Sequence, residues 1–198
     1  MKILHTADWH LGKKLDRFSR IEEQRAVMGE IVQIADAQKV DVVIIAGDLF
    51  DNFTPNTDAI ELFYKTVKQL SLGGRRPVVA ISGNHDAPKL IDAPDPLARE
   101  CGIFLIGQPF ALVTPIETQD FKITHSSAGF IELQLASFPY PLRIIHTAYA
   151  NEPRLREELE GDKQLAINQF LSDKWQALAQ EYCDFKGVNI LSACLLYT

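Results

Sequence analysis

At 198 residues, with 46% hydrophobic and 23% charged side chains, the chain can bury a substantial core and is no disordered polymer. Its formal net charge of −6 gives no global reason to bind nucleic acid, so any such binding must come from local basic groups or bound metal. Three widely spaced cysteines (Cys101, Cys183 and Cys194) read as a reducing compartment rather than a disulfide framework. No apolar run approaches the roughly 20 residues a bilayer span needs, and the first residues read as a strand rather than a leader peptide. A cytoplasmic location without membrane association is expected.

Residues 1–6 read as a short buried strand that runs into the polar stretch Asp8-Trp9-His10. A basic, glycine-led loop follows (Gly12-Lys13-Lys14-Leu15-Asp16-Arg17). From Arg20 to about Gln38 the residues Ile21, Val27, Met28, Ile31, Val32 and Ala35 fall on one helical face. Val40 to Ala46 is a second strand whose unbroken hydrophobicity predicts cover on both faces, and it ends at Gly47-Asp48. Thr54-Pro55-Asn56-Thr57 is a helix start. The helix repeats Ile60, Phe63, Tyr64, Val67 and Leu70 and closes at Gly73-Gly74. Pro77 to Ser82 is the third strand and breaks at Gly83-Asn84-His85-Asp86. The order β-α-β-α-β predicts a parallel sheet with right-handed crossovers.

Beyond Asp86, Pro88, Pro94 and Pro96 punctuate a loop with a short helix around Leu97 to Glu100. A β-rich stretch follows, with strands at Ile103–Ile106, Phe110–Val113, Phe121–Thr124, Phe130–Ala136 and Arg143–His146. Ser126-Ser127-Ala128-Gly129 reads as a hairpin connection, and Ile131-Glu132-Leu133-Gln134-Leu135 as a strand with one wet face. Helices are expected over Glu152–Glu160 and Asp162–Tyr182, the second with a buried stripe of Leu165, Ile167, Phe170, Leu171, Leu178 and Tyr182. A last strand runs from Val188 to Leu196.

Three strands thus end in metal-type ligands. In extended backbone, residues two apart point the same way, so Asp8 and His10 can aim at one ion while Trp9 turns into packing. Asp48 follows a glycine, and its two oxygens can bridge cations about 3.5–4 Å apart. Asn84 offers a neutral oxygen. In an open α/β sheet such loops gather at the carboxyl ends of the strands. Hard oxygens plus imidazole suit Mn²⁺, Fe or Zn²⁺ better than a soft-metal site. Two carboxylates leave two divalent ions with net positive charge, which can draw a phosphate to an acidic protein. His85, beside Asn84, reads as the catalytic acid or phosphate clamp, with Asp86 orienting it. Lys13, Lys14, Arg17 and Arg20 directly follow the first ligand pair, where they fit contacts to a nucleic-acid backbone or an ordinary solvated loop. His5 reads as a structural histidine, His146 as a satisfied core histidine with cleft lining as the alternative, His125 as an exposed hairpin residue, and Asp51, Asp92 and Asp95 as loop and capping residues.

Ile3-Leu4-His5-Thr6-Ala7-Asp8-Trp9-His10-Leu11-Gly12, Ala46-Gly47-Asp48-Leu49-Phe50-Asp51 and Ser82-Gly83-Asn84-His85-Asp86 resemble the first three motifs of the calcineurin-like metallophosphoesterases. More narrowly they resemble the SbcD-type nuclease subunits of bacterial SbcCD complexes. The resemblance is dense over about the first 110 residues, with Phe138-Pro139-Tyr140-Pro141 a weaker echo. It implies an α/β fold, a four-layer α/β/β/α sandwich, with two divalent metal ions, Mn²⁺ foremost. It implies exonuclease action on double-stranded DNA ends, endonuclease action on single strands or hairpins, and a place in DNA double-strand-break repair. The implied partners are an SbcC-type coiled-coil ATPase and a second copy of the nuclease chain. By position, Asp8 and His10 would hold one metal, Asp48 would bridge, Asn84 would hold the second and His85 would be the catalytic acid.

Two features depart from that pattern. The family's fourth motif ends a strand in Gly-His or Ala-His; Ile190-Leu191-Ser192-Ala193 matches the approach, but Cys194 follows. The fifth, Gly-His-x-His, is absent. Residues 1–198 are therefore expected to form an incomplete nuclease domain, truncated at its C-terminal side, without cap domain or partner-binding tail. Cys194 reads as a core cysteine, with thiolate ligation as the alternative. A phosphodiesterase or phosphatase for small substrates, or an inactive scaffold module, are the competing functions.

Overall fold

The computed structural model describes residues 1–157 and 161–195. The chain runs through β1 (Ile3–Thr6), a two-rung hairpin of β2 (Lys14–Leu15) and β3 (Phe18–Ser19), α1 (Ile21–Ala37) and β4 (Val42–Ala46). It continues through α2 (Thr57–Leu70), β5 (Val78–Ile81), the short helices α3 (Pro88–Asp92) and α4 (Asp95–Ala98), and β6 (Ile103–Ile106). The second half holds β7 (Phe121–Ser127), β8 (Phe130–Leu135), β9 (Leu142–Thr147), α5 (Glu152–Leu155), α6 (Lys163–Tyr182) and β10 (Val188–Ala193).

The expected parallel sheet forms in the order β1-β4-β5-β6. Its unbroken apolar strands are explained by what lies on each side. Val43, Ile45, Val78 and Ala80 face α1 and α2, against Met28, Ala35, Leu62, Phe63 and Val67. Val42, Ile44, Val79 and Ile81 face the second sheet, against Ile131, Leu133, Leu142 and Ile144. That sheet has the order β10-β9-β8-β7, parallel between β9 and β10 and antiparallel elsewhere. Helix α6 lies on its outer face, where Trp175 Nε1 donates to Thr147 Oγ1 at 2.9 Å. The layers run α/β/β/α, as expected of a calcineurin-like fold. Helix α2 starts where the sequence places it, with the Asn56 side chain accepting from Ala59 N–H at 2.9 Å.

Several expectations need correction. Phe110–Val113 is not a strand: Pro109 and Pro115 contribute no N–H, and Phe110 sits at φ 53°. This loop is instead tied to the β7–β8 hairpin, through Ser126 Oγ to Val113 O and Gly129 N–H to Ala111 O. The helix expected over Glu152–Glu160 stops at Leu155, where Arg156 turns left-handed; residues 158–160 lie outside the described residues, as does Leu196 of the expected last strand. On α6 only Leu171 is fully buried, and Leu165 is 68% exposed, so this outer layer covers its sheet thinly. Among the described residues, no helix is long and apolar enough to cross a membrane.

His146 is structural as expected, but it is not satisfied. It is fully buried on β9, and among the described residues neither ring nitrogen has a hydrogen-bond partner, nor has Ser192 Oγ at the paired position of β10. Burial alone pulls the imidazole from its ordinary 6.5 down to about 4. Unfolded chains bind this proton below pH 6.5 and folded ones only below about 4, so its contribution is whole above 6.5 and drains away as pH falls through that window. The loss is about 3 kcal/mol. Urea unfolding of His146→Phe should therefore vary less with pH between 6.5 and 4 than that of the parent chain; equal slopes would mean the buried ring is already charged.

Candidate metal centre

The backbone brings the first two ligand loops together before any side chain does. Past the end of β1, Asp8 N–H donates to Gly47 O at 3.1 Å, His10 N–H to Asp48 O at 2.9 Å and Leu11 N–H to Leu49 O at 3.1 Å. The Gln24 amide of α1 then locks the loop, donating to His10 O at 2.7 Å and accepting from Gly12 N–H at 2.9 Å. Gly83 must be a glycine because a Cβ there would overlap Asp48 Oδ1 and its backbone nitrogen.

Ligand atoms of Asp8, His10 and Asp48 lie within 4.8 Å of one another, and so do those of His10, Asp51 and His85. His10 Nε2 stands 3.7 Å from Asp48 Oδ2, while its buried Nδ1, 3.5 Å from Asp51 Oδ1, has no hydrogen-bond partner among the described residues. Among the described residues, no hydrogen bond engages the half-buried Asn84 side chain. Carboxylates and an imidazole nitrogen without a hydrogen-bond partner at one spot are donors a hard divalent cation takes. The residues present fit such an ion.

Asp8 and His10 converge for a different reason from extended-strand alternation. Asp8, His10 and Asp48 all occupy the left-handed region, at φ 56°, 43° and 46°. For non-glycine residues this costs about 1–3 kcal/mol each and collects at functional sites. Trp9 does turn inward, against the Phe63 ring at 6.0 Å.

His85 is held by its backbone N–H, which donates to Asp48 Oδ1 at 2.9 Å, and by Nδ1, which lies 2.8 Å from Asp51 O. A carbonyl only accepts, so Nδ1 carries the proton of the neutral ring. The ring meets His10 edge to face at 4.8 Å. Asp86 does not orient it, contrary to expectation. The Asp86 carboxylate is fully buried and accepts from Gly83 N–H at 2.7 Å, Phe50 N–H at 2.8 Å and Leu49 N–H at 3.0 Å. Burial pushes its carboxyl up, and those three donors pull it back.

Two residues that look incidental in the sequence belong to the site. Asp51 reads there as a loop residue, yet its carboxylate faces His10 and its carbonyl holds His85; the signal is its place three residues after Asp48. Cys194 packs on the inter-sheet core as expected, but it also sits where a Cβ on Gly47 would lie 2.6 Å from its sulfur, and it accepts from Asn84 N–H. Burial, then Asp48, pushes this thiol up to about 12.

Arg154 of α5 carries no signal in the sequence. Its guanidinium donates to Gly83 O at 3.0 Å, Asp86 O at 2.7 Å and Tyr149 O at 3.3 Å, clamping the turn that carries Asn84 and His85. Among the basic residues, Lys13 reaches Asp51 at 3.5 Å, and Arg20 pairs with Glu23 at 2.7 Å. Both line a groove of about 370 Å³ with Asp8, Trp9, His10 and Gln24. Lys14 and Arg17 stand apart on the β2–β3 hairpin.

A calcineurin-like phosphoesterase family model matches residues 1–182. The chain is 42% identical over 159 residues to the SbcD component of the SbcCD nuclease of Bacillus subtilis (strain 168), covering 80% of this chain and 36% of that protein. It is 39% identical over 108 residues to the corresponding SbcCD nuclease component of Rhodobacter capsulatus, covering 54% and 27%. A third relative of that name, from Staphylococcus saprophyticus, is 41% identical over 92 residues, covering 46% and 24%. The matches span about a third or less of each relative's length.

Replacing Asp86 with Asn turns an amide donor toward three N–H donors, so Asp86→Asn should lose roughly 3 kcal/mol in urea unfolding. A loss under about 1 kcal/mol would mean the knot is dispensable. Arg154→Met should weaken divalent-metal binding by calorimetry by roughly 10- to 100-fold if the turn it clamps carries a ligand.

Proposed function

The chain belongs to the calcineurin-like phosphoesterase family, and on that premise we propose that it is the metal-binding core of a DNA nuclease that hydrolyses phosphodiesters. The observation that carries this is the convergence of Asp8, His10 and Asp48 within 4.8 Å, with the His85 ring against His10. The relatives' shared description as SbcCD nuclease components supports DNA as the substrate.

In this reading Asp8, His10, Asp48 and Asn84 would hold two divalent ions, with Mn²⁺ the expected metal, and Asp48 would be shared between them. Bound, the ions supply Lewis acidity and activate water at neutral pH. The chain's own residues do the rest. Asp51 O fixes the His85 proton on Nδ1, so the protonated ring presents Nε2–H to a leaving oxygen. Lys13 and Arg20, on the groove beside His10, hold the flanking phosphate backbone. Asp86 and Arg154 keep Asn84 and His85 in register.

Asp8, His10, Asp48 and Asn84 are four ligands for two ions that each take about six, so the isolated chain should bind Mn²⁺ weakly and cleave DNA slowly. The whole protein would supply the remaining ligands. It would act in the cytoplasm, in double-strand-break repair, as a homodimer with an SbcC-type coiled-coil ATPase.

Calorimetry with Mn²⁺ and a linear-duplex digestion test this together. Weak binding should be lost in Asp48→Ala, and residual cleavage with it. Complete absence of divalent-metal binding would point to an inactive scaffold. Far faster cleavage of a chromogenic diester than of DNA, with little salt dependence, would point to small substrates.

A further inference from the structure

The β2–β3 hairpin places Leu15 directly opposite Phe18, so the two side chains leave the ladder on one face. They are 66% and 64% exposed, and nothing among the described residues covers them. A two-rung ladder gains little from such a pair. The Arg17 guanidinium stands 5.5 Å from the Phe18 ring centroid. Lys14 and Arg17 have no carboxylate partner among the described residues. Of the nearby acids, Glu22 and Glu23 are taken by Arg25 and Arg20, which leaves Asp16 in the hairpin turn.

The base of the hairpin is fixed to the metal centre. Lys13 N–H donates to His10 O at 3.1 Å, Arg20 N–H closes onto Lys13 O at 3.3 Å, and Lys13 Nζ reaches Asp51. An exposed ring with two unpaired cations therefore rises from a loop three residues past a ligand.

We infer that Phe18, flanked by Leu15 and Arg17, is a stacking platform for an unpaired nucleobase of a strand whose phosphates run past Lys13 and Arg20. The inference rests on the nuclease reading of the pit and adds what the enzyme grips: a single-stranded or frayed segment. Every base has a π-face, so one aromatic with a guanidinium accepts any of them. A polyanion is the occupant that complements unpaired cations on a chain of net charge −6. A second copy is disfavoured, since two side chains fall far short of the roughly 800 Å² per partner that stable dimers bury.

Anisotropy of a labelled single-stranded oligonucleotide, and of an abasic strand of equal length, tests this on the whole chain in EDTA. The base-bearing strand should bind roughly 5- to 100-fold tighter. Phe18→Ala should close that gap. Lys14→Gln should weaken both strands alike and shrink the salt slope by about 0.7. The inference falls if the parent shows no gap, if the gap survives Phe18→Ala, or if Phe18→Ala changes only self-association in sedimentation. The Mn²⁺ titration reads the pit alone. Metal binding without a gap overturns the platform and spares the nuclease reading, and a gap without metal binding does the reverse.

Discussion

One buried carboxylate holds the site together. Asp86 sits where two loops meet and accepts N–H donors from both: Leu49 and Phe50 beyond β4, and Gly83 beyond β5. Three charge-assisted bonds offset the cost of keeping that charge out of water. They set Asp48 and the Asn84-His85 pair in one register, and Asp48 then accepts from His85 N–H. Without this knot the ligand loops would be two ordinary strand ends.

The second sheet completes the pit from the other side. Tyr149 N–H, just past β9, donates to Ser82 O, and Arg154 clamps the turn one helix later. Cys194, just past β10, fills the space over Gly47. The carboxyl ends of strands in both sheets thus open on the same place, where ligand sites of α/β sheets form. The shared apolar layer between the sheets is what sets their distance. It also supplies the stability that offsets Asp8, His10 and Asp48 in left-handed backbone.

Much of this is legible in the residues. Strands at β1, β4, β5 and β6, helices α1 and α2 and the Asn56 cap follow from runs, periodicity and turn chemistry. Those patterns reflect the immediate neighbours of each residue, which the chain order already specifies. Phe110–Val113 misleads because apolar residues need burial, and a loop folded over a hairpin buries Val113 as well as a strand does. The stripe on α6 misleads because helical spacing shows which face is apolar without showing that anything covers it.

By itself the sequence determined which residues could ligate: Asp8, His10, Asp48 and Asn84 stand at strand ends, where a break in hydrophobicity marks a loop. It could not determine what Asp86, Asp51 and Arg154 do. Adjacency makes Asp86 look like a partner of His85, but its oxygens answer to N–H groups 36 and 37 residues away. Arg154 lies 71 residues from the carbonyl of Gly83 that it holds. The first set forms only once β4 and β5 pair in one sheet and the second only once the two sheets have packed, so only the tertiary structure decides them.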